Sequence, residues 1–167
     1  MTFARVTASA LIFVALAACG GSSDGDAVFV QKATIAGMFE VQSSQLALTK
    51  ATNADLKAFA QTMITDHSQA GAELKTLVDG GSVPGVSRVP DALDSAHQAK
   101  LSELENAEGA TFDTKYRAMQ VDAHQDAVDL FQDESEHSKN AALKDWAGKT
   151  LPTLQQHKAH IDGIVLQ

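Results

Sequence analysis

From Asp26 onward, apolar residues recur three and four positions apart, and no stretch shows the strict alternation of a half-buried strand. The pattern predicts a first helix over about Asp26–Ala51, ended by Thr52-Asn53, either of which can cap the next helix. It predicts a second helix over Ala54–Asp79, stopped by Gly80-Gly81. Ser82–Pro90, with two prolines and a glycine, reads as a loop. A shorter helix over Asp91–Ala107 opens with Pro90 near its first position. A long helix comes next over Phe112–His137, with Thr111 as a possible cap. The last runs over Ala141–Val165 and contains Pro152, which should kink it by removing one backbone hydrogen bond.

Four long helices, with a short one in the connection between the second and third, predict an all-α fold. The arrangement is a four-helix bundle of ferritin-like topology. The stripes that would form its core each carry one misplaced residue. At 100° per residue, Glu40 shares a face with Phe29, Ala33, Ala36, Ala47 and Ala51. His67 falls among Leu56, Ala60, Met63, Ala70, Leu74 and Val78; His124 among Tyr116, Val121, Ala127, Val128 and Phe131; His157 among Trp146, Leu154, Ile161 and Ile164. Each lies near the middle of its helix, so the four reach the same layer to within about one turn. Burying such groups unpaired costs about 1–3 kcal/mol each. They must therefore satisfy one another or hold something.

Three imidazoles and one carboxylate suit a mononuclear transition-metal site for Zn, Cu, Fe or Mn. Met63, Asp66, Gln120 and His160 lie within a turn and are candidate supporting residues. Asp66 is about 100° round its helix from His67, a position suited to gripping a ligand on another helix. The competing reading is a metal-free network in which Glu40 accepts from imidazole N–H groups. His97 reads as a flank or surface histidine, His137 as a solvated helix end, and Asp129–Glu136 as an exposed acidic face.

Composition narrows the partners. The formal charge is −8, with no basic cluster, one Trp and one Tyr, a poor basis for binding nucleic acid. The N-terminal 18 residues hold Arg5 and an apolar run from Val6 to Ala18, too short to span a bilayer and suited to a secretory signal. The run ends in Leu16-Ala17-Ala18-Cys19, which resembles the lipobox of bacterial lipoproteins. That resemblance implies lipidation of Cys19 and a membrane anchor. Residues 19–26 then read as the lipidated Cys and a flexible tether, and 27–167 as the helical domain. With no other cysteine, neither a disulfide framework nor a thiolate site is available.

Several stretches together are similar to a family of exported bacterial proteins known as domain of unknown function 4142. They are Phe29-Val30 through Glu40-Val41, Phe59-Ala60-Gln61-Thr62-Met63-Ile64-Thr65-Asp66-His67, Tyr116 through His124, and Leu151-Pro152-Thr153-Leu154-Gln155-Gln156-His157. The resemblance spans nearly the whole domain and implies a ferritin-like fold, an outer-membrane association and no established activity. It marks Glu40, Asp66, His67, His124 and His157 as hallmark polar residues. Ferritin di-iron sites need a Glu three residues before each helical His. Ile64, Val121 and Leu154 stand there instead, which argues against di-iron chemistry.

The sequence thus points to an exported lipoprotein on the periplasmic face of a bacterial membrane, binding one metal ion for metal handling or stress protection. Gly20 after Cys19 favours the outer membrane in a Gram-negative cell. The alternative is a structural or interaction module that meets an envelope partner through its acidic surface. A small metalloenzyme would need an open coordination position and a water path. No nucleophile–base pair, phosphate loop or cofactor motif assigns catalytic residues.

Overall fold

A computed structural model describes residues 23–166. The leader, Cys19 and the first part of the tether lie outside the described residues. The chain forms five helices: α1 Ser23–Lys50, α2 Ala54–Asp79, α3 Ser95–Glu105, α4 Gly109–His137 and α5 Ala141–Gly163. There is no strand among the described residues. No described helix is long and apolar enough to cross a membrane.

The connections follow from local chemistry. The Asn53 side chain accepts from the Asp55 and Leu56 backbone N–H groups at 2.9 and 3.1 Å, which fixes the start of α2. Asn140 does the same for α5, accepting from Ala142 and Leu143. Gly80 closes α2, and Gly81 follows at φ +73°, a left-handed conformation that glycine adopts without penalty.

Several boundaries differ from the sequence pattern. The stretch expected to be tether as far as Asp26 is helical from Ser23. Asp24 and Asp26 suit the positive end of the α1 dipole, and Asp26 is buried, accepting from Asn140 Nδ2 at 3.3 Å. Helix α3 starts four residues later than Asp91, because Asp94 rather than Pro90 sets its first turn by accepting from His97 N–H at 2.8 Å. Helix α4 starts at Gly109, so Thr111 lies inside its first turn and is not its cap; Glu108 occupies the cap position without a side-chain bond. Helix α5 continues across Pro152 and ends at Gly163.

The four long helices form the bundle, and α3 packs on α1 and α4. Its core is two apolar clusters. One gathers the start of α1, the ends of α2 and α4 and the start of α5, around Phe29, Leu74, Val78, Phe131, Leu143 and Trp146. The other gathers the opposite ends, around Leu56, Phe59, Met63, Phe112, Tyr116 and Ile161. Consequently α1 and α5 run one way and α2 and α4 the other. The 80–108 connection must travel the length of the bundle, as ferritin-like topology requires. Between the clusters lies one polar layer.

Candidate metal centre

Each long helix contributes one residue to that layer: Glu40 from α1, His67 from α2, His124 from α4 and His157 from α5. In every case the flanking stripe residues divide between the two clusters. Met63 and Leu74 bracket His67, and Ile161 and Leu154 bracket His157. All four are buried, with exposures of 1% for Glu40, 8% for His67, 0% for His124 and 5% for His157.

The three imidazoles form a nearly equilateral triangle. Ring centroids stand 5.7 Å apart for His67–His124, 5.4 Å for His67–His157 and 5.5 Å for His124–His157. Each ring has one nitrogen engaged and one free. His67 Nδ1 lies 2.8 Å from Glu40 Oε2. His124 Nδ1 donates to the Gln120 carbonyl at 2.9 Å. His157 Nε2 donates to Asp66 Oδ2 at 2.9 Å, across the α2–α5 seam. These acceptors set the tautomers. His67 Nε2, His124 Nε2 and His157 Nδ1 are left buried with no hydrogen-bond partner. The three residues can each offer a ring nitrogen within 4.8 Å of the others.

Glu40 stands behind His67 and contributes no oxygen to that convergent group. Its Oε1 lies 3.3 Å from His124 Nδ1, but the His124 hydrogen goes to the Gln120 carbonyl, so Oε1 has no hydrogen-bond partner. The geometry therefore gives the carboxylate an orienting position rather than a place among the converging donors. Asp66 holds the equivalent position for His157. Gln120 acts through its backbone, while its side-chain amide donates to Ser43 Oγ at 3.0 Å. Met63 belongs to the apolar core, and His160 is exposed with its ring edge against Phe59. Neither joins the converging group.

Sequence reasoning missed the polar groups that extend this layer. Ser44 Oγ and Tyr116 Oη are 2.8 Å apart, and Ser43 Oγ donates to the Glu40 carbonyl at 3.3 Å. The adjacent serines on α1, next to Glu40, were the available signal. His97, expected at a flank, is partly covered. It bonds Asp94 at 2.8 Å and sets its ring edge against Phe39.

The electrostatics suit a cation. Burial alone would raise the Glu40 carboxyl, but the His67 and His124 imidazoles outweigh it and hold the group below its ordinary value. Burial alone would lower His67, yet the charge and hydrogen bond of Glu40, with Asp66 adding, raise it above an ordinary imidazole. His124 and His157 are lowered, chiefly by burial. Glu40 opposes the shift at His124, the Asp66 hydrogen bond opposes it at His157, and repulsion from His67 reinforces both. The layer thus combines a carboxylate with two imidazoles kept neutral, the form that ligates metal. An ion at His67 Nε2 would displace that ring's extra proton.

Fold and site define an all-α four-helix bundle with a tri-histidine layer at mid-height. The chain belongs to the family described as Domain of unknown function (DUF4142), whose pattern matches residues 14–164. No curated protein sequence matches it. Among solved structures it is similar to CopM in the Cu(I)-bound form, at 20% identity over 82% of this chain and 92% of that one, with a TM-score of 0.66. CopM in the Ag-bound form gives 20% identity over the same shares and a TM-score of 0.65. A DUF305 protein from Streptomyces coelicolor matches at 13% identity over 82% of this chain and 88% of that one, with a TM-score of 0.66. At these identities the likeness establishes the fold.

Proposed function

We propose that this protein binds a single transition-metal ion through His67, His124 and His157, and that copper is its leading candidate. The observation that carries the reading is the convergence of three buried imidazoles. On each, one nitrogen is held by a fixed acceptor and the other has no partner. Neutral imidazole suits Cu, Zn and Fe alike. Copper is favoured because CopM, a protein of similar fold, has been crystallised with Cu(I) and Cu(II). Glu40 and Asp66 would orient two of the ligands and strengthen their donation, and the Gln120 carbonyl would fix the third.

The proposed setting is the bacterial envelope. The apolar leader ending in Leu16-Ala17-Ala18-Cys19 supports export and lipidation at Cys19, with residues 19–22 left as the link to α1. Labelled palmitate incorporated by the wild type and lost in Cys19→Ala would be the expected result. Incorporation by neither would remove the anchor.

Metal content tests the central reading. The purified protein, never exposed to chelator, should hold about one ion per chain after loading with Cu(I) and desalting, and His67→Ala and His157→Ala should hold none. A wild type that retains no Cu, Zn, Fe or Mn overturns the reading. The Glu40–His67 contact at 2.8 Å then favours the second one, a metal-free polar network that fixes the register of the four helices.

A further inference from the structure

A cavity of about 320 Å³ lies against the histidine layer on the side of the Phe29–Trp146 cluster. His67 and His157 line it, and its other walls come from small or apolar residues including Ala33, Gly37, Ala70, Gly71, Leu74 and Phe131. Two of these are glycines inside helices, where glycine costs about 1 kcal/mol relative to alanine. Close packing does not demand them: a Cβ on Gly37 or Gly71 would meet nothing within 4 Å. Both have negative φ, so backbone conformation does not demand them either. Their effect is to keep the space beside the histidines wide.

Metal chemistry gives that width a use. Three imidazoles leave a four-coordinate ion one ligand short. The nearest candidate from the chain, Glu40, is turned to His67 Nδ1 and supplies no oxygen to the converging group. An anionic fourth ligand would share this space with Glu40, whose carboxyl is itself held charged. The apolar walls favour a small uncharged molecule. Thr34 Oγ1, a wall atom that is buried and has no partner, offers it one hydrogen bond.

We infer that the site keeps one coordination position open toward this cavity and takes there a small neutral ligand of the size and polarity of a diatomic gas. The inference rests on the metal reading above. A closed, purely storing site would instead be coordinatively complete.

Carbon monoxide on the anaerobically loaded Cu(I) protein is the probe, and infrared spectroscopy is the readout. Metal content is measured first, so a protein that takes up no copper fails at that stage and sinks both ideas. The expected result is one bound-carbonyl stretch per copper in the wild type. Gly37→Leu and Gly71→Leu, which extend side chains into the cavity without touching a ligand, should keep about one copper per chain. Their carbon monoxide affinity should fall at least about tenfold. Copper-loaded wild type with no carbonyl band overturns the inference, as does undiminished binding in both leucine variants. Circular dichroism establishes that each variant is folded, and the wild-type band decides the case if one is not.

Discussion

Two buried polar constructions in this bundle differ in a way that separates scaffold from site. Asp113, in the first turns of α4, is 4% exposed. It accepts from Thr52 N–H at 2.9 Å, from Asn53 N–H at 2.9 Å and from the Thr52 hydroxyl, which ties α4 to the α1–α2 turn. Both of its oxygens are used. The histidine layer is buried to the same degree, yet each of its rings keeps a nitrogen without a partner. Leaving such a group unsatisfied costs about 1–3 kcal/mol. Among the described residues, every buried side-chain atom without a partner belongs to this layer, apart from Thr34 Oγ1 and Glu134 Oε1. Burial of polar groups is thus common to both regions, and incompleteness marks the one built to hold something.

Substitutions should split the two regions in opposite directions. The largest effect is on metal. His124→Ala removes a donor outright, and copper affinity should fall by more than the roughly 10–100-fold expected for loss of an outer partner. Competition with a chromophoric chelator measures it, and retention of wild-type affinity would remove His124 from the site. Asp113→Ala should do the reverse. It strands three donors at the α1–α2 turn, so stability should drop by about 3 kcal/mol in denaturant titration while copper stoichiometry stays unchanged. Copper loss in a folded Asp113→Ala protein would break the distinction. Glu40→Gln and Asp66→Asn fall between these cases. Each keeps an acceptor behind a ligand ring but removes its charge, and copper affinity should fall about tenfold with little change in unfolding midpoint. A change in midpoint without any change in affinity would place those carboxylates with Asp113.

The contrast also explains which features are legible in the sequence. Helix α2 is readable to the residue, because Asn53 and Gly80 punctuate it in a way that depends on neighbours alone. The layer is readable because one polar residue interrupts each apolar stripe at matching depth. Two things are not. Whether Glu40 converges with the imidazoles or stands behind one of them is decided by ring rotamers and helix spacing, which periodicity does not encode. Asp113 looks in the sequence like any carboxylate near a helix start, and only the return of the α1–α2 turn against α4 makes it a buried anchor. The starts of α3 and α4 depart from the pattern for a related reason. Pro90 and Thr111 are plausible local signals, but the Asp94 side chain and the positive φ of Gly109, at +54°, set the backbone instead.

Glu134 provides the smallest and most discriminating test, because its Oε1 is buried without a partner far from any converging donors. Its carboxyl is raised above the ordinary value of 4.5, first by burial and then by Asp26 and Asp133, against a lowering hydrogen bond from Ser138. The folded state therefore holds this proton more tightly than the unfolded chain does. Its contribution to stability is lost as pH rises from the ordinary carboxylate value through the raised folded one. Glu134→Gln removes the charge and keeps the shape. The group is partly exposed and screened by solvent, so the variant should gain only a few tenths of a kcal/mol near neutral pH. Below the ordinary carboxylate value, where both side chains are neutral, the gain should vanish. Denaturant midpoints at about pH 7 and about pH 4 would show this, and copper affinity should not move. An equal gain at both pH values would assign the effect to packing rather than charge. A shift in copper affinity would mean that an isolated unpartnered atom is coupled to the site, and incompleteness alone would no longer distinguish the histidine layer from the rest of the core.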